Sequence, residues 1–184
     1  MSQKTARIAA TTRLYRKLHR WFAIPLFLFL TLIGTTGLLL GWKKQSGLLP
    51  KTQKGSNLET QAWISLDSIS KVASTYATLT LKKSPEIDRI DVRPQKGVAK
   101  IVFAHHFTEL QIDCASGQIL AVNARNSDWI EKIHDGSILD LELKLESDQI
   151  KLIYTSLAGI GLVFLAISGF WLWYNPIRMK KLKK

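Results

Sequence analysis

One cysteine in 184 residues leaves no intramolecular disulfide to staple the fold, and neither a CxxC pair, a CxxCH haem attachment nor a zinc-ligand cluster can be assembled from it. The lone thiol, Cys114, lies two residues before Ser116 and three before Gly117, and reads as a small, partly buried residue near a turn. Acidic residues are missing from the first 21 positions and from the last ten. No Asp, Glu, Lys, Arg or His falls within residues 21–42 or 152–174. Intramembrane ionisable groups mark proton and ion paths, so transport by this chain alone is disfavoured. Neither a nucleophile elbow nor an HExxH motif occurs, which speaks against self-contained hydrolysis.

Those charge-free stretches, of 22 and 23 residues, are the dominant features of the chain. At 1.5 Å per residue each reaches about 33 Å, enough for a hydrocarbon core of roughly 30 Å. Trp21 and Trp42 bracket the first run, and Trp171, Trp173 and Tyr174 close the second, as aromatic belts do. The first run exceeds the 7–15 apolar residues of a signal peptide, and Gln45-Ser46-Gly47 is a poor cleavage site, so an uncleaved anchor is expected. Lys4, Arg7, Arg13, Arg16, Lys17 and Arg20 precede it, and Arg178, Lys180, Lys181, Lys183 and Lys184 end the chain. They supply 11 of the 12 net positive charges, whereas the central 109 residues hold 15 basic residues against 14 acids. Basic flanks stay on the cytoplasmic side. The predicted order is a basic cytoplasmic segment (1–20), a first transmembrane helix (21–42), an extracytoplasmic domain (43–151), a second transmembrane helix (152–174) and a basic cytoplasmic tail (175–184). The location this implies is a bacterial inner membrane, with both termini cytoplasmic and the domain periplasmic. With the positive charge confined to the flanks of apolar helices and no recognition fold beside it, the partner is the lipid bilayer and not nucleic acid.

Gly37 and Gly41 form a GxxxG pair, with Gly34 one turn earlier, and Gly159, Gly161, Ser168 and Gly169 give the second span a small face. Such faces let helices approach closely, within one chain or between chains, so a homodimer or a membrane-protein partner is expected.

Between the spans the hydrophobic period changes. Ser65 can cap a helix from 66 to about 77, with Leu66, Ile69, Val72, Ala73 and Tyr76 on one face. Short Ile/Val-rich runs follow at 87–93, 98–104, 107–113 and 118–123, separated by turns at 95–97 and 113–117. A helix and then a meander predict an α+β domain, one antiparallel sheet carrying a helix on its face. Its expected core is Ile69, Val72, Tyr76, Ile90, Val92, Ile101, Phe103, Leu110, Ile112, Ile119 and Val122. A short helix over 128–134 is expected with Ser127 as its cap. The alternation of Leu141, Leu143 and Leu145 with Glu142, Lys144 and Glu146 suggests an extended piece, with helix as the alternative. Asp88, Asp91 and Asp113 fall on strands or turns, where carboxylates default to a solvated face.

Five short stretches together resemble one family. Arg16-Lys17-Leu18-His19-Arg20-Trp21 is similar to an "LHRW" opening, and Ile33-Gly34-Thr35-Thr36-Gly37 to a mid-helix "TG". Residues 113–120 resemble a "D..TG.vl" hairpin with Ser116 in place of Thr, Ile133-His134-Asp135-Gly136 an "HtG", and residues 166–174 a "TGlylW" helix close. In this order they resemble the PepSY family with its associated transmembrane helices, over nearly the whole chain. The fold implied is two transmembrane helices flanking a small PepSY-like domain. The resemblance implies two functions. One is a membrane-anchored binding or regulatory module acting with partner proteins. The other is a haem-linked electron-transfer component related to ferric-siderophore reductases of iron uptake, whose larger members hold haem between histidines. The cofactor is unassigned by the residues alone, and haem is what the resemblance suggests. This chain has half the spans of those larger members and no histidine within its spans.

Of the four histidines, His19 and His134 are the candidate haem ligands, because neutral imidazole is a good axial ligand. The alternative for His19 is an amphipathic ring at the headgroup boundary beside Arg20 and Trp21. A membrane thickness between the two excludes one shared haem within a chain, so His19 would pair with its copy in a symmetric dimer or with a partner protein's histidine. His105 and His106 are adjacent at a strand end, point to opposite faces and make a poor chelate.

Overall fold

The computed structural model describes residues 3–143, 145 and 147–182. It is an α+β structure with a four-stranded antiparallel sheet and two terminal helices long and apolar enough to cross a membrane. Two compact units divide it: residues Leu39–Lys132, and the helical segments 1–38 with 133–184.

In the first unit, helix α2 (Leu66–Tyr76) starts where expected, with the Ser65 hydroxyl accepting from the Ser68 amide at 3.1 Å. It ends in a π-helical turn, Ala77–Leu81, closed by Lys82 in the left-handed region. Strands β1 (Ile87–Arg93), β2 (Val98–Phe103), β3 (Thr108–Asp113) and β4 (Ile119–Ala124) form a meander in sequence order. Ile101 pairs with Leu110 and Ala99 with Ile112, so one pleat face of β2 and β3 carries Ala99, Ile101, Phe103, Leu110 and Ile112. Ile69, Ala73 and Ala77 pack on that face, and together with Cys114 these residues form the buried core. Val72, Tyr76, Ile90, Val92 and Ile119 pack around it half-buried. Val122, expected inside, is exposed at 42 %, because β4 is an edge strand with only part of one face under α2. Cys114 is fully buried rather than partly so.

The opposite face of the sheet departs from the expected alternation of apolar and solvated. Lys100, Glu109, Gln111 and Asp113 are all buried. An extended strap, residues 48–57, lies over them and is stitched down by their side chains. Gln111 accepts from the Gln53 amide at 2.7 Å and donates to the Lys51 carbonyl at 3.0 Å, and Asp113 accepts from the Ser56 amide at 2.9 Å. Asp113 is therefore no solvated carboxylate. Burial opposes its charge, but the hydrogen bonds from Ser56, Ala115 and Ser116 prevail and hold it down to about 2.

Helix α3 (Asn126–His134) begins two residues earlier than expected and carries Ser127 inside its first turn, where the hydroxyl donates to Asp128 at 3.0 Å. A short helix α4 (Ser137–Glu142) follows, so Leu141 and Glu142 are helical, not extended. Lys144 and Glu146 of the predicted alternation lie outside the described residues.

In the second unit, helix α1 (Gln3–Gly41) is continuous through the basic segment and the apolar run, although Pro25 lies inside it. Helix α5 (Gln149–Lys181) likewise runs past Tyr174 into the basic tail. The two are antiparallel. Phe22 meets Phe164 with ring centroids 4.6 Å apart, Leu26 lies against Gly161, and Phe29 meets Tyr154 at 5.8 Å, so partners on α5 descend as those on α1 rise. The Asp140 carboxylate on α4 caps α5, accepting from the amides of Ile150 at 3.1 Å and Lys151 at 2.9 Å.

Two imidazole seats on a helix pair as the candidate functional site

His19 and His134 occupy equivalent surroundings at opposite ends of the helix pair. His19, on α1, places Nδ1 2.7 Å from the Ser168 hydroxyl of α5. His134, at the end of α3, places Nδ1 2.9 Å from the Thr36 hydroxyl of α1. Each hydroxyl belongs to a hydroxyl–glycine dipeptide, Ser168-Gly169 or Thr36-Gly37. In both, the imidazole Cε1 lies over the glycine, 3.7 Å and 3.3 Å from where a Cβ would stand. A side chain at Gly37 would crowd the His134 ring, so this glycine serves a contact within the chain.

The hydrogen-bond arithmetic fixes the tautomers. Ser168 donates its single proton to the Phe164 carbonyl at 2.7 Å, and Thr36 donates its own to the Leu32 carbonyl at 2.7 Å. With those protons engaged, each oxygen can only accept, so each imidazole donates from Nδ1. In the neutral ring Nε2 is then the lone-pair nitrogen, with no hydrogen bond among the described residues. A histidine anchored through one nitrogen with the other free is the arrangement metal-ligating imidazoles adopt. At each seat Nε2 is thus the atom a metal could take. Thr36 lies 17 positions after His19 on one helix, about 25 Å along its axis, so the seats cannot serve one haem within the chain.

The residues after His134 lock it in place. The Asp135 carboxylate accepts from the Ser137 hydroxyl at 2.7 Å and amide at 3.0 Å, and pairs with Lys151 at 3.1 Å. Burial opposes its charge, but these bonds hold its carboxyl below the usual range. Gly136 has φ 80°, and a Cβ there would overlap the Tyr154 ring, so only glycine suits both backbone and packing. The His-Asp-Gly stretch is therefore an imidazole, an ion-pair anchor and a left-handed turn in succession.

The other two histidines do not join this site. His105 pairs with Glu86 at 2.8 Å, and His106 bonds the Ser84 carbonyl at 3.1 Å while stacking on Phe103. Burial lowers the affinity of His106 for a proton. Among the described residues no three His, Cys, Asp or Glu side chains cluster as a metal site.

Local patterning could not show the seats, since their partners are 149 and 98 positions apart in sequence. The available signal was the recurrence of a histidine motif and a hydroxyl–glycine dipeptide, one of each per seat.

Two long apolar helices, an α+β domain between them in sequence and paired histidine motifs define a membrane-associated protein of the PepSY-linked class. The chain matches the family described as PepSY-associated TM region over residues 16–184, and it belongs to that family. No curated protein matches it.

Proposed function

We propose that the chain is a PepSY binding or regulatory module, anchored in the bacterial inner membrane with both termini cytoplasmic and its domain periplasmic, that works in an assembly with a second copy or another membrane protein. The exposed sides of α1 and α5 carry this reading. Their apolar stretches are almost wholly exposed. Gly34, Gly41 and Gly159 would each place a Cβ in open space, leaving room for another helix. Energy transfer between labelled full-length chains, diluted with lipid in liposomes, tests this. Association should persist on dilution and weaken several-fold in Gly34→Leu with Gly159→Leu, whereas a monomer at every ratio would refute assembly with itself. Reporter fusions after Lys54 and at Lys184 test the orientation, and a cytoplasmic signal from the first would reverse it.

A second reading, haem-linked electron transfer in iron uptake, is supported by the free Nε2 of His19 and His134. Haem would supply a one-electron carrier, and His19 or His134 would hold it through Nε2. Protein purified from haem-replete cells should show a Soret band that His19→Ala or His134→Ala diminishes. A colourless protein would rule this reading out and leave the binding module.

A further inference from the structure

In the 39–132 unit, a cleft of about 620 Å³ opens between the strap and the β1–β2 turn. Its cationic lining is Lys44, Arg93, Lys96 and Lys100, and no carboxylate lines it. From this arrangement we infer that the cleft is a binding site for an oxyanion, a phosphate carried next to a short apolar group.

The strongest support is Lys100. It sits in mid-strand on β2 and is only 4 % exposed. Its ammonium has one ionic contact, Glu109 Oε1 at 3.3 Å, and makes no hydrogen bond among the described residues. That carboxylate is already engaged by Arg125 at 2.6 Å and by the Gln111 amide at 2.7 Å. Asp91, the cross-strand neighbour of Lys100, pairs with Arg89 at 3.7 Å. Glu109 thus meets one side of the Lys100 ammonium, and no carboxylate lines the cleft to meet its other N–H donors, so an anion in the cleft completes its surroundings.

The other cations have separate roles. Lys96 donates to the Thr52 carbonyl at 3.0 Å, tying the turn to the strap and holding the cleft in shape. Lys44 and Arg93 are exposed at the lip and have no ion pair among the described residues. Arg93 offers the planar fork that grips a phosphate through two bonds. Pro50 and Pro94 add rigid apolar wall to the cleft, which suits an organic phosphate better than the bare ion. Lys44 follows Trp42 by two positions, so the phosphate can come from a lipid headgroup as well as from a free solute. The inference is independent of both functional readings.

Calorimetric titration of the full chain in phosphatidylcholine nanodiscs with phenyl phosphate, and with phenol as control, tests the site. One phenyl phosphate should bind per chain, with phenol silent. Lys44→Gln with Arg93→Gln, both exposed, should lower affinity at least tenfold without moving the thermal unfolding midpoint, and Lys100→Met should lower it further. Absence of saturable binding, or equal binding by the double variant, would overturn the proposal. With one-third phosphatidylglycerol in the discs, at a salt concentration that screens surface potential, a fall in wild-type affinity identifies the lipid headgroup as occupant. Unchanged affinity assigns the cleft to a soluble phosphate.

Discussion

In the helix pair the residues withdrawn from the surroundings include Thr12, Thr36, Ser168 and Asn175, while Phe27, Leu28 and Ile160 are 65 %, 72 % and 71 % exposed. In residues 39–132 the pattern is the familiar one on one face, where Ile69, Ile101, Leu110 and Ile112 are buried. The two units are built for different solvents. Water drives apolar side chains of the domain inward at roughly 25 cal/mol per Å². Lipid gives no such push between helices, so contact there relies on small residues, close packing and hydroxyl bonds. The domain nevertheless buries Lys100, Glu109 and Arg125, because the strap and the start of α3 close off the polar face of its sheet and Glu109 pairs with both cations.

The largest test of that contrast is Glu109→Gln. It leaves two buried cations without their shared counter-charge and should cost about 3–5 kcal/mol. Chemical unfolding of the full chain in detergent reads it, and an unchanged midpoint would break the claim that the polar face supports the domain. Next is Leu110→Ala, expected to cost about 3 kcal/mol through lost burial and the cavity left behind. Its counterpart Leu28→Ala should change stability by less than about 0.5 kcal/mol, since its side chain already faces the surroundings. Equal losses would mean the helix pair is packed like a soluble core.

Asp113→Asn comes third, at about 2 kcal/mol near neutral pH. Because its carboxyl lies at about 2 in the fold against an ordinary 3.8, its contribution is complete above roughly pH 4. It is lost as pH falls through about 2, so wild type and variant should converge in acid, and a gap that stayed constant from pH 7 to 2 would show that Asp113 acts through shape and not charge. Among the losses expected from a broken contact, Ser168→Ala is the mildest, at about 1 kcal/mol or less. It should loosen the His19 ring, visible as broadening or movement of its imidazole NMR signals in micelles, while His134 stays unchanged.

The meander and α2 were legible because each follows a local period: alternation at Ile101 and Phe103, and a turn-by-turn stripe at Ile69 and Ala73. The same period misplaced Val122, since alternation tells which face a side chain takes and not whether anything covers that face. Asp113 looked solvated for the complementary reason. Residues 48–57 have no period of their own, and nothing local shows that they lie across the sheet. For the site, both candidate histidines could be named from their motifs. Their seats depend on helix-to-helix register, which no single stretch of sequence encodes.

That register has a mechanical meaning. Sliding α5 by one residue along α1 moves it 1.5 Å and turns its side chains by about 100°, enough to carry Ser168 away from His19. The seat at Thr36 reads the other end of α1 against a ring held by the Asp135–Lys151 anchor, and Lys151 itself sits in the first turn of α5. The two imidazoles therefore act as a vernier, in which only one alignment of the hairpin closes both marks, so misaligned insertion is recognisable by an unseated histidine.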